Sequence, residues 1–287
     1  MATKTLAKLK GEMLFNSDLT RLVSVMKDIA AAQYQVMERN RTHFDRYRDA
    51  VDEIVKSYDF RRSKHPFIRQ RSDKKLVCLV TTDFGFLGGL NMKVVQNGMK
   101  LAEKGTHYLV LGDRGVNYIK EYGGESTAFE GINIDATRYD LVEKVIRKMK
   151  EMVLKQKFGR VVLIYPKSIA FATQRIESLN LIPCPIFFKD KPPTVPTQPE
   201  QSKQIILESS PNEVVDYLTT LWLRHRLIEC FESAKMSEFG ARTMHLEESS
   251  QTLSKINKQL KLQYFKARRE KIDQSLRETF TSQLICE

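Results

Sequence analysis

Residues 237–287, SEFGARTMHLEESSQTLSKINKQLKLQYFKARREKIDQSLRETFTSQLICE, contain no glycine or proline after Gly240. Leu253, Ile256 and Leu260, followed by Ile272, Leu276, Phe280 and Leu284, recur at the spacing that places side chains on one face of an α-helix. The stripe is narrow, which predicts a single long helix wound on a partner helix. A second stripe lies at the other end of the chain, where Leu19, Leu22, Met26, Ile29 and Val36 follow one another, broken by Gln33. Between the two ends the composition shifts to short, strand-like apolar runs. The chain is therefore expected to be α/β, a long antiparallel coiled coil of N- and C-terminal helices with an inserted doubly wound, mostly parallel α/β domain. The seam Leu19, Leu22, Met26 and Ile29 is expected to meet Leu253, Ile256 and Leu260, because a chain that leaves one end of a rod and returns there runs antiparallel.

The chain has 287 residues, and with 41% apolar and 29% charged residues it belongs among folded globular proteins. Its 47 basic residues outnumber 35 acidic ones, giving a net charge of +12 that favours acidic partners: nucleic acid, an anionic membrane surface or acidic protein surfaces. Cys78, Cys184, Cys230 and Cys286 are scattered without CxxC spacing, and the histidines do not join them, so a disulfide framework or metal site is not expected. The longest apolar runs, such as Leu76 to Val80 and Val161 to Tyr165, fall well short of the roughly 20 residues of a membrane helix. Met1 to Lys10 is charged and lacks an apolar signal core. These features predict a reducing, cytoplasm-like compartment and no membrane span.

Three regions are expected: an N-terminal coiled-coil helix over 1–60, a central α/β domain over 61–208 and a C-terminal coiled-coil helix over 209–287. Asn16, Ser17 and Asp18 interrupt the first region, and Ser17 or Asp18 is suited to cap a new helix. Three alanines, Ala30 to Ala32, either allow close approach of a partner helix or serve simply as good helix formers. The basic stretch Phe60 to Lys75 reads as a linker or exposed face. In the middle, strands are expected at Leu76–Thr81, Tyr108–Leu111, Val161–Tyr165 and Pro185–Phe188. Helices are expected at Asn91–Lys104, Gly115–Tyr122, Tyr139–Lys155 and, more briefly, Thr173–Leu179. This alternation predicts a parallel sheet covered on both faces. Lys191 to Pro199 reads as a surface loop, Lys203 to Glu208 as an edge strand, and Pro211 as the first turn of the last helix.

The sharpest local motif is TDFGFLGGLN, Thr82 to Asn91, at the join between the first central strand and its helix. Such a glycine-rich turn can cradle phosphate. Here no Lys-Ser/Thr pair follows the glycines and the spacing is not GxGxxG, so a structural turn built on Asp83, Gly85, Gly88, Gly89 and Asn91 is the better reading. No catalytic order of Ser, His and Asp or of Cys and His stands out, and His225 and His245 on the last helix have no spaced partner. Catalytic residues, cofactors and metals are accordingly none. Tyr264 to Asp273 sets dense basic charge beside aromatic bulk: a solvated coiled-coil face, or a cationic ridge that engages acidic protein loops through guanidinium groups.

Thr82 to Asn91 resembles the SDRGLCGGLN signature of the gamma subunit of F-type ATP synthases, matching at Asp83, Gly85, Gly88, Gly89, Leu90 and Asn91. Val25 to Ala31 resembles the family's first-helix segment AMxMVAA. Ser237 to Leu276 resembles its final-helix pattern SExxAR…LxYNxARQxxITxEL at Ser237, Glu238, Ala241, Arg242, Leu262, Tyr264, Ala267, Arg268, Ile272 and Leu276. The resemblance spans essentially the whole chain. It implies a rotor shaft inside a ring of alpha and beta subunits, with the central domain bound to an epsilon-type subunit and resting on the membrane rotor ring. It also implies no chemistry of its own, no nucleic-acid partner, and a peripheral location on the cytoplasmic or equivalent inner face of an energy-coupling membrane.

The chain departs from the family pattern where a beta-subunit loop is clasped. Arg269 and Asp273 stand in place of Gln and Thr, Ser275 replaces Glu, and Arg21, Leu22 and Val23 replace the first-helix KIT segment, while Arg268 is retained. These differences mark a divergent branch, with Arg268, Arg269 and Asp273 as the expected clasp. Asp273 lies one helical turn beyond Arg269, at the spacing for an ion pair. Two other readings are a coiled-coil scaffold without rotary function and a basic nucleic-acid-binding protein. The scaffold does not need the glycine turn and the final-helix pattern together. The nucleic-acid reading lacks a recognition motif, since acidic residues interleave with the basic ones.

Overall fold

Leu76, Val77, Cys78, Leu79 and Val80 are buried one after another, as a central parallel strand sealed on both faces requires. The computed structural model describes residues 6–39, 50, 53, 65–70, 72–103, 105–133, 137–155, 158–188 and 210–285. Two compact units divide the chain, Tyr34–Ala241 on the one hand and Met1–Gln33 with Arg242–Glu287 on the other. Long helices α1, Leu6–Arg39, and α5, Pro211–Ile285, contribute to both.

The larger unit holds a five-stranded sheet of β1 (Lys75–Val80), β2 (His107–Leu111), β3 (Ser126–Phe129), β4 (Arg160–Ala170) and β5 (Thr173–Ile182) in the order β3-β2-β1-β4-β5. The first four are parallel, and β5 is antiparallel to β4. Alternation along β1 sorts its side chains between two cores. Val77 and Leu79 join Val94 and Val95 of α2 (Leu90–Lys100) and Val116 and Ile119 of α3 (Asp113–Glu121). Leu76 and Cys78 join Val145 and Met149 of α4 (Thr137–Leu154) and Leu227 and Phe231 of α5. Helices on both faces make the domain doubly wound and mostly parallel, as the strand and helix alternation predicts.

Three local expectations need correction. Residues 173–179 form strand β5 rather than a helix. Ile176 and Leu179 carry a helix-like spacing of three, but an odd separation in a strand sends them to opposite faces, and each finds a core there. Pro185–Phe188 is one turn of 3₁₀ helix instead of a strand, because Pro183 and Pro185 lack the N–H groups a ladder needs. Asn16 to Asp18 do not break α1. The Thr20 hydroxyl instead donates to the Asn16 carbonyl at 2.7 Å within the continuous helix. The short edge strand β3, polar and only partly buried, left no periodic signal in the sequence. The stretches 191–199 and 203–208, expected as loop and edge strand, lie outside the described residues.

In the smaller unit the paired faces follow seven-residue repeats. On α1, Leu9, Asn16, Val23 and Ala30 form one row, and Leu19 and Met26 lie half-buried beside it. On α5 the rows are Leu246, Leu253, Leu260, Ala267 and Thr243, Ser250, Asn257, Tyr264. Lys27 pairs with Glu247 at 3.0 Å, and Asn257 donates to Thr20 at 3.1 Å. An earlier residue of α1 thus meets a later one of α5, so the helices are antiparallel.

The phase of this seam differs from expectation. Leu22 and Ile29 are 56% and 53% exposed, whereas their neighbours Val23 and Ala30 are buried. Ile256 is also exposed, and Asn257 takes the seam position. Leu22 and Ile29 lie about 100° around the axis from Val23 and Ala30, with Leu19 and Met26 between them, and the flank with the smaller side chains turns inward, which lets two helix backbones approach. Beyond Ala267, residues 268–281 are exposed on every side. Among the described residues, no helix is long and apolar enough to cross a membrane.

Candidate functional site

The turn Thr82–Asn91 is built around an internal carboxylate. Asp83 Oδ1 accepts from the Asp113 amide at 3.0 Å and the Gly131 amide at 3.1 Å, and Oδ2 accepts from Gly131 at 3.1 Å. A Cβ on Gly131 would stand 2.5 Å from Asp83 Oδ2, so only glycine admits the carboxylate. Asp113 opens α3, and the anion at that helix N-terminus is the chain's own. An incoming phosphate would meet a negative charge already seated on the amides.

The rest of the turn is equally self-contained. Gly88 and Gly89 have φ of 55° and 83°, the left-handed region that glycine adopts without strain. Asn91 Nδ2 donates to Thr82 Oγ1 at 2.9 Å, and Thr82 Oγ1 donates to the Phe84 carbonyl at 2.8 Å. Gly85 lies beside the Arg114 guanidinium. Leu87 and Leu90 are buried against Ala241 of α5, with Ile176 alongside. Five of the predicted turn residues are thus brought together in a connection that binds the sheet to the last helix, while Phe84 and Phe86 project into solvent.

Other candidate chemistry is occupied or inert. Burial lowers the pKa of His225, with Arg224 adding to the effect. Cys78 is buried, and desolvation raises its thiol pKa to about 12. Lys150, in the groove between α4 and the start of α5, is taken by Asp216 at 2.7 Å and Thr220 at 3.0 Å. Among the described residues no group of three or more His, Cys, Asp or Glu side chains is placed to hold a metal ion.

In the smaller unit, Arg268, Arg269 and Asp273 are exposed on the distal part of α5. The ion pairs among the described residues do not join Arg269 to Asp273, and the Asp273 carbonyl accepts from Arg277 Nε at 3.2 Å. Leu262, Phe265, Ile272, Leu276 and Phe280 are all exposed on this helix. At about 100° per residue they cluster roughly 180° from Ala267, on the side away from the seam. On α1, Phe15, Leu22 and Ile29 make a similar outward row, seven residues apart. The two helices therefore carry apolar side chains away from their seam; the sequence stripes contained Leu22, Ile29, Ile272, Leu276 and Phe280 among them, whereas Phe15, Leu262 and Phe265 stood in neither stripe.

Comparison with known proteins gives a consistent result. An ATP synthase family model matches residues 5–282. A curated ATP synthase gamma chain from Halothermothrix orenii is 26% identical over 285 residues, 96% of each chain. In solved structures, the fold is similar to a chain of the Euglena gracilis mitochondrial ATP synthase OSCP/F1/c-ring assembly in rotational state 3, with a TM-score of 0.74 and 16% identity over 97% of this chain and 93% of that one. It is also similar to a chain of the rotor of the same enzyme in rotational state 1, with a TM-score of 0.70 and 15% identity over 93% and 98%.

Proposed function

Because the chain belongs to the ATP synthase gamma family, we propose that it is the central rotor shaft of an F-type rotary ATPase, coupling transmembrane proton or sodium flow to ATP synthesis or hydrolysis in a ring of alpha and beta subunits. In this reading the helices over 1–60 and 209–287 form the shaft, and the domain over 61–208 is a foot that binds an epsilon-type subunit and a membrane rotor ring. The chain itself is non-catalytic. It sits peripherally on the cytoplasmic or equivalent inner face of an energy-coupling membrane, held by its partners.

The observation that carries this reading is the outward apolar row of α5. Leu262 and Phe265 stand exposed opposite the seam, and Ile272, Leu276 and Phe280 continue the row where the helix is exposed on every side. Leaving such a row in water is unfavourable, and a surrounding apolar sleeve removes that cost. An isolated scaffold or a nucleic-acid-binding rod would instead keep this side polar. Arg268 and Arg269 beside the row are suited to hold acidic loops of beta, with Asp273 completing the clasp.

The test is assembly with the cognate alpha and beta subunits. Replacing Arg268 and Arg269 together by alanine removes charge-assisted hydrogen bonds worth about 1.5 to 3 kcal/mol each. Binding of the ring should weaken at least about tenfold and coupled ATP turnover should fall. The isolated chain should keep its unfolding midpoint, since neither side chain is buried. Unchanged assembly and turnover in the double variant would remove the clasp, and failure of the unaltered chain to join the ring would remove the shaft.

A further inference from the structure

Strand β4 outruns the sheet. Its pairing with β1 ends at Ile164, and from Tyr165 to Ala170 it pairs with β5 alone. A two-stranded arm of this kind is marginal by itself in water and must be held by what it packs on. It rests on three small residues of α5, Ser233, Ser237 and Gly240, spaced so that they share one helix face.

The contacts run along the arm's main chain. The Ser168 amide donates to Ser233 Oγ at 3.2 Å, and Ser237 Oγ donates to the Pro166 carbonyl at 3.0 Å. At Gly240 a Cβ would stand 2.4 Å from the Phe171 carbonyl oxygen, so a side chain there would drive the arm off the helix. Helix α1 meets the same arm through Tyr34, whose ring packs edge-on against Phe171 at 4.9 Å and whose hydroxyl lies 3.4 Å from Ser168 Oγ. Tyr34 also belongs to a buried cluster with Met37, Met236 and Phe239. One residue past Gly240, Ala241 is covered by the Thr82–Asn91 turn through Leu87 and Leu90.

We infer that the β4–β5 arm and the Thr82–Asn91 turn form a collar that holds α5 and α1 to the sheet and carries torque between them, with Gly240 and Tyr34 as its positioning residues. The inference rests on the shaft reading, which alone requires torque to pass. It assigns a mechanical reason to a serine, serine, glycine face that a free coiled coil has no need of. Main-chain contacts suit the task, because a backbone held in a strand ladder yields less to sideways load than a long side chain does.

The test uses the assembled complex reconstituted in vesicles, with ATP hydrolysis and ATP-driven ion transport measured on the same preparation. Gly240→Val displaces the arm. Hydrolysis should stay near the unaltered level while transport is largely lost. A merely structural role for Gly240 would lower both in proportion to the amount of assembled complex. Ser168→Cys combined with Ser233→Cys, joined by an added mild oxidant, fixes the arm in place and should leave transport intact. Equal hydrolysis and transport in the Gly240 variant, or loss of transport on cross-linking, would overturn the collar. If the unaltered chain supports neither activity with alpha and beta, the shaft reading fails instead.

Discussion

Asn257 and Thr20 lie 237 residues apart in the chain and meet across the paired helices at 3.1 Å, the Asn257 amide donating to the Thr20 hydroxyl. Thr20 Oγ1 in turn donates to the Asn16 carbonyl. A polar link within a seam otherwise lined by Val23, Ala30, Leu246 and Leu260 fixes register, because sliding either helix would strand the amide. A double-mutant cycle on Asn257→Ala and Thr20→Val should give a coupling of about 0.5 to 1.5 kcal/mol in urea unfolding of the whole chain. Additive effects would mean that the bond contributes nothing to register.

The phase of the seam makes opposite predictions for the inner and outer rows of α1. Ala30 is buried and Ile29 is 53% exposed. Ala30→Leu overpacks the helix contact and should cost about 1 to 3 kcal/mol. Leu22→Gln, on the outer side, should change the isolated chain's stability by no more than about 0.5 kcal/mol while weakening assembly with its partners. Denaturation midpoints of the two variants, measured side by side, check the assignment.

Asp83 holds the amides of Asp113 and Gly131, which lie on different connections of the sheet. Removing the carboxylate with Asp83→Ala leaves both donors without it, and stability should fall by about 1.5 to 3 kcal/mol. Gly131→Ala should cost a comparable amount by a different route, since its methyl would occupy the space of Asp83 Oδ2. Because the two changes break one contact, the double variant should be little worse than either single one. Calorimetric ATP binding should be silent for the unaltered chain.

His107 titrates below its ordinary value, first because it is partly buried and further because Lys148 is near, with Glu125 opposing. Its ring packs near Phe158 and shares a hydrogen bond with Thr127 at 2.9 Å. The unfolded chain takes up this proton more readily than the folded one, so stability rises with pH across the interval. The contribution is complete above the unfolded value of 6.5 and is lost as pH falls through the lower folded value. Urea midpoints should therefore fall between about pH 7.5 and pH 5 by more in the unaltered chain than in His107→Gln. Equal falls would show that His107 carries no part of the slope.

Much of this protein was legible from local pattern. Buried strands such as Leu76–Val80 and Val161–Tyr165 show as unbroken apolar runs because both of their faces are covered, and the long last helix shows as a stretch free of glycine and proline. The turn at Thr82–Asn91 was legible as a motif, but its purpose was not. That Asp83 fills the amides of Asp113 and Gly131 depends on contacts 30 and 48 residues away, which no local spacing encodes.

Tertiary structure alone decided which apolar row each long helix turns inward. Leu22, Ile29 and Ile256 lie at the same three-or-four spacings as a true seam, and they are larger than Val23, Ala30 and Asn257, so periodicity and hydrophobicity both favour them. Two apolar rows on one helix satisfy the same pattern, and the choice between them rests on how closely two backbones can approach, which small residues and the Asn257–Thr20 bond settle. The arm at Tyr165–Phe171 was hidden for a related reason: Ile176 and Leu179 serve opposite faces of a strand, and only the sheet between two cores shows why both are apolar. Sequence specified most of the elements and the family, whereas long-range packing determined the remaining elements, which faces were covered and which remained for partners.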